Sequence, residues 1–76
     1  MIDDTNLNTI VKIISKHTRV SEEMINLNTS TETLDRWDSL SHINIIVDIE
    51  KKFNIKIKTT KVSELNSVQS IIKFLK

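Results

Sequence analysis

The chain has 76 residues, which bounds it to one domain over residues 1–76 with a small core. It contains no cysteine, glycine or proline, so disulfides, thiolate metal sites, a cysteine nucleophile and a glycine-rich phosphate loop are all excluded. Eleven basic and ten acidic residues leave a net charge of +1, with the signs interspersed, which speaks against nucleic acid as a partner.

No apolar run approaches the about 20 residues that span a bilayer. Met1 is followed by Asp3 and Asp4, not by a basic and then apolar leader. The expectation is a soluble, cytoplasmic monomer without membrane insertion, whose turns are made by Asn, Asp, Ser and Thr.

The first helix is predicted from about Thr5 to His17. Leu7, Ile10, Val11 and Ile14 fall at i, i+3, i+4 and i+7 and mark its buried face. Asp3 and Asp4 suit its positive end; Lys16, His17 and Arg19 suit its negative end. A long connection follows, from Thr18 to Trp37, rich in Thr, Asn, Ser and Glu. A loop of this length needs pinning. Val20, Met24, Ile25, Leu27 and Leu34 are the expected pins, and Ser21-Glu22-Glu23 is placed to start a single helical turn. Trp37 is expected to fold back on the bundle, with an indole N–H that needs a partner.

The second helix is predicted from about Ser39 to Phe53, with Asp38 or Ser39 at its cap. At about 100° per residue its apolar positions make two stripes. Ile45, Ile46, Ile49 and Phe53 form the expected core face. Leu40, Ile43 and Val47 lie about 145° away on the same arithmetic, flanked by Asn44 and Lys51. One small core does not easily bury both stripes, so the second is expected to meet solvent or a partner. Ser39 then stands at the positive end of a helix dipole, beside an apolar stripe; a negative charge on it would be favoured there.

Ile55 and Ile57 alternate with Lys56 and Lys58, but no second strand is available to pair with them. They read as an extended connection that plugs the core. A short third helix is expected over about Thr60 to Glu64. Ser67 is the expected N-cap of a last helix over Val68 to Leu75, with Val68, Ile71, Ile72 and Leu75 inward. Lys51, Lys52, Lys56, Lys58 and Lys61 read as a solvated face. The whole is an all-α, small four-helix bundle, three main helices and a short third one, with a long loop between helices one and two.

Residues 34–57 carry a resemblance. Asp38-Ser39-Leu40 opening the second helix, followed by Ile43, Ile45-Ile46, Ile49-Glu50, Phe53-Asn54-Ile55 and Ile57, resembles the acyl carrier protein family. Val20, Leu65 and Val68-Ile71-Leu75 extend the likeness over nearly the whole chain. The resemblance implies that Ser39 receives 4′-phosphopantetheine from coenzyme A, and that the arm's thiol carries an acyl or aminoacyl group as a thioester. It implies no catalysis by the protein itself. Asp38 would lie beside the metal used by the modifying transferase, and Leu40, Ile43, Val47 and Glu50 would dock partners. Those partners would be a phosphopantetheinyl transferase, an acyl- or aminoacyl-loading ligase and downstream transferases.

The chain also departs from that family's common pattern. Fatty-acid-synthase carriers are strongly acidic along the second helix; here the exposed positions are expected to include Ser41, Asn44 and Lys51, with Asp48 and Glu50 remaining. The usual Gly-x-Asp-Ser is replaced by Asp35-Arg36-Trp37-Asp38-Ser39. This W-D-S-L-x-H form is similar to freestanding carriers of specialised polyketide, nonribosomal-type, aminoacyl or glycan-decorating routes.

Other constellations are weaker. Ser39 and His42 at i, i+3 lack the orienting acid, oxyanion hole and nucleophile elbow of a hydrolase. The residues leave two readings of His42, a contact near the arm's phosphate or an exposed side chain. Asp3, Asp4, Glu22 and Glu23 lack calcium-loop spacing. The rival from another class is an unmodified helical interaction module that uses the Leu40/Ile43/Val47 stripe alone.

Overall fold

The computed structural model describes residues 4–75. Its elements run α1 (Asp4–Thr18), a 3₁₀ turn (Glu22–Met24), α2 (Ser39–Phe53), α3 (Thr59–Val62) and α4 (Val68–Leu75). Among the described residues there is no strand, only an isolated bridge between Ser30 and Ser67. The expected all-α bundle is therefore the observed one. Asp3, expected near the start of the first helix, lies outside the described residues.

The core forms where the inward stripes of α1, α2 and α4 meet. Ile10, Ile14, Ile45, Ile49, Val68 and Ile71 are fully buried, and Ile46 and Ile72 nearly so. Leu7, Val11, Phe53 and Leu75, expected on the same faces, are half-buried at the edge. Ile13 is also buried, though it lies off the predicted stripe of α1. It belongs to the face of α1 that turns toward α2, where Asp48 and Lys52 line the same groove.

Two helices end on a left-handed residue, and neither is glycine. Asn54 closes α2 at φ 52°, ψ 51°, its N–H donating to the Glu50 carbonyl. Arg19 follows α1 at φ 61° and donates to the Ser15 carbonyl over 2.8 Å. Asn tolerates this region through its short polar side chain; Arg19 has no such relief and occupies it at a cost of about 1 kcal/mol.

The long loop is held by backbone bonds as well as by side chains. The Thr31 N–H donates to the Asn66 carbonyl and the Val68 N–H to the Thr29 carbonyl, both over 2.9 Å. Within the loop, Asn26 and Thr29 close one turn and Ser30 and Thr33 another through their own side chains. Ile25 is buried and Val20, Leu27 and Leu34 pack on the core. Met24, expected as a pin, is instead 68% exposed. It ends the 3₁₀ turn, where the chain swings Ile25 inward and leaves Met24 on the outside.

The connection after α2 behaves as expected. Ile57 is buried and Ile55 half-buried. Helix α3 starts one residue earlier than predicted and is four residues long, with turn bonds from Glu64 and Leu65 to the Lys61 carbonyl continuing past it. Ser67 caps α4: its Oγ accepts from the Ser70 N–H while the Ser70 Oγ accepts from the Ser67 N–H, each over 3.1 Å.

Asp48 on α2 joins that helix to two side chains of α1. The His17 Nε2–H donates to the Asp48 carboxylate over 3.0 Å, and Lys16 stands 3.7 Å away. Burial works to raise the Asp48 carboxyl, but the His17 bond and the Lys16 charge prevail and hold it below its ordinary 3.8. A depressed carboxyl stabilises the fold above its ordinary value and loses that contribution as the pH falls through its folded value. Asp48→Asn is therefore expected to lower the urea midpoint at neutral pH. The gap to the parent chain should close as the pH drops below 3.8. An equal gap at both ends of the titration would refute it.

Candidate functional site

The start of α2 is built as the sequence implies. Asp38 is the N-cap, in extended backbone, and its carboxylate accepts from the Ser41 N–H over 2.9 Å. That backbone bond, with a further contribution from the Ser41 side chain, holds the Asp38 carboxyl below its usual range. Ser39 is the first residue of the helix and is exposed. The first-turn N–H groups next to it have no acceptor within the helix, and Asp38 takes the one from Ser41. An ester-linked phosphate at this oxygen would be exposed to solvent and favoured by the helix dipole.

Trp37 and His42 bracket that start. Trp37 is 2% exposed, and its indole N–H donates to His42 Nδ1 over 2.9 Å. The two rings lie 5.9 Å apart between centroids. The His42 Nε2–H donates to the Val62 carbonyl over 2.7 Å. These partners set the tautomer: Nδ1 carries the lone pair and Nε2 the proton. His42 thus ties the loop, α2 and α3 together at the residue after Ser41. It is half-buried, so it is not an exposed side chain. With both nitrogens engaged, it is not placed as a base for Ser39 either. The sequence left Trp37 in need of a partner but did not point to His42, five positions on, or to the α3 carbonyl.

Ser39 lies between two concave surfaces. On one side is a polar cleft of about 380 Å³, bordered by Thr31, Asp38, Ser63 and Asn66. On the other is a groove of about 480 Å³ between α2 and α3, with Ile43, Ile46, Val47, Ile57 and Val62 in its walls. The His42 ring borders both. A flexible chain attached at Ser39 has room on either side.

The second apolar stripe is free. Leu40 is 71% exposed, Ile43 56% and Val47 43%. The polar positions of α2 are less free than the sequence suggested. Ser41, expected to be exposed, is half-buried, and its hydroxyl donates to the His17 carbonyl over 3.3 Å. Asp48 is held by His17 and Lys16. Glu50 accepts from the Ile57 N–H over 2.8 Å, closing the turn after α2. Asn44 and Lys51 are exposed as expected. Among the described residues no group of three or more His, Cys, Asp or Glu side chains is arranged for a metal. No helix among them is long and apolar enough to cross a membrane.

Comparison with known proteins bears on the same residues. The family model described as phosphopantetheine attachment site matches residues 8–75. The acyl carrier proteins of Arthrobacter sp. (strain FB24) and Paenarthrobacter aurescens (strain TC1) are each 33% identical over 67 residues, covering 87% of this chain and 82% of theirs. That of Renibacterium salmoninarum is 30% identical over the same shares. The chain belongs to the acyl carrier protein family, as a carrier and not an enzyme, with 4′-phosphopantetheine as its prosthetic group.

Proposed function

We propose that Ser39 is the residue to which 4′-phosphopantetheine is joined, and that residues 1–76 act as one cytoplasmic carrier domain. The observation that carries this reading is an exposed Ser39 at the first position of α2, immediately after the Asp38 cap. The bound group supplies a thiol on which an acyl or aminoacyl substrate travels as a thioester. The protein's own part is to offer the hydroxyl, to favour the phosphate at a helix N-terminus, and to present a surface that enzymes read. By the family resemblance Asp38 would lie beside the metal of the modifying transferase, while it caps α2 in this structure.

Leu40, Ile43 and Val47, with Glu50 at their border, form the docking face in this reading. The partners are a phosphopantetheinyl transferase, a loading ligase for an acyl or aminoacyl group, and downstream transferases. The W-D-S-L-x-H start resembles that of carriers of specialised routes, and on that resemblance alone a specialised pathway is favoured over bulk fatty acid synthesis. The test is an intact mass after incubation with coenzyme A, magnesium and a broad-specificity phosphopantetheinyl transferase. The expected result is a gain of one phosphopantetheine, lost completely in Ser39→Ala. A gain that persists in Ser39→Ala would put the attachment elsewhere. No gain in the parent chain with several transferases would favour the unmodified interaction module.

A further inference from the structure

The charge around the exposed stripe of α2 points to the kind of surface that docks there. Only two carboxylates lie within α2, Asp48 and Glu50. The fold uses both. Asp48 answers His17 and Lys16 across the α1 seam, and Glu50 is bonded to the Ile57 amide. The cations near the stripe are not used in this way. Lys51, one turn beyond Val47, is exposed, as is Lys56, while Lys52 faces the α1 seam, where its charge acts on Asp48. Lys58 is exposed at the start of α3, next to Thr59, which borders the same groove as Ile43 and Val47. Lys61 is the exception, standing 3.7 Å from Glu64.

The stripe therefore runs from Ser39, beside the Asp38 carboxylate, to a basic end around Lys51 and Lys58. Lys51 is about 18 Å from Ser39 along the axis, at 1.5 Å per residue. A partner that placed its own cations at that end would meet like charge at close range.

We propose that the partner surface seated on α2 is an apolar socket bordered by carboxylates, with those carboxylates opposite Lys51 and Lys58. The apolar side chains Leu40, Ile43 and Val47 fill the socket, and the lysines set the orientation of approach. This rests on reading α2 as the docking helix. It does not require a modified Ser39, so the two readings fail separately.

The probes are two synthetic amphipathic helical peptides with the same leucine stripe, one flanked by glutamates and the other by lysines. Each is titrated into the full unmodified chain and followed by amide NMR shifts. The glutamate peptide is expected to bind about tenfold more tightly at about 0.1 M salt, with shifts at Leu40, Ile43, Val47 and Lys51. That advantage should shrink at about 1 M salt, where the screening length falls from about 10 Å to about 3 Å. Lys51→Glu with Lys58→Glu should reverse the preference, while Leu40→Ser with Val47→Ser should weaken both peptides. Ser39→Ala should bind like the parent chain. Equal affinity for the two peptides at low salt, a preference for the lysine peptide, or no shift along the stripe with either would overturn the proposal.

Discussion

Trp37→Ala is expected to lower the free energy of unfolding by about 3–5 kcal/mol, as truncation of large buried aromatics does. The residue lies in a connection rather than a helix, yet it is one of the largest fully buried side chains. Its loss removes a buried ring and leaves His42 Nδ1 without its donor. A domain of this size has only about 4–11 kcal/mol to lose, at 0.05–0.15 kcal/mol per residue. The variant should be largely unfolded at moderate urea, or unfolded outright. Trp37→Phe keeps a six-membered ring but removes the fused ring edge with its N–H, so its cost should fall below that of Trp37→Ala, at about 1–3 kcal/mol. A urea melt of Trp37→Ala within about 1 kcal/mol of the parent would mean that the loop does not depend on this ring.

Ile49→Ala should cost about 2–5 kcal/mol, while Leu40→Ala on the same helix should cost less than about 0.5 kcal/mol. Ile49 is fully enclosed where α2 meets the rest of the core; Leu40 is 71% exposed. Helix propensity does not produce this contrast, because leucine and isoleucine both lie close to alanine on that scale. The difference is the cavity left behind in one case and its absence in the other. Equal losses in paired urea melts would show that the exposed stripe packs on something in the free protein. The small loss at Leu40 also matters for function: docking variants can be made there without unfolding the carrier.

Much of the fold was legible where the signals are local. The residue ranges of α2 and α4 match those read from the sequence, because a capping Asp or Ser stands immediately before each apolar run. The exposed stripe was legible too, since one helix with two separated apolar faces cannot bury both in a core this small. Helix α3 was the least well bounded, having four residues and no side-chain cap.

The sequence by itself determined that this is a small helical carrier with a serine at the head of α2 and an apolar stripe beside it. Only the tertiary structure decided which polar groups that stripe can use. Asp48 is paired with a histidine 31 positions away, and Glu50 with an amide seven positions on. Trp37 and Val62, on either side of His42, are joined through one imidazole. Met24 faced outward and Ser41 inward for the same reason. Periodicity records which face of an element is apolar, not which neighbour lies across from each polar side chain. That pairing follows from how the elements stack, and it turned two apparent surface carboxylates into parts of the frame.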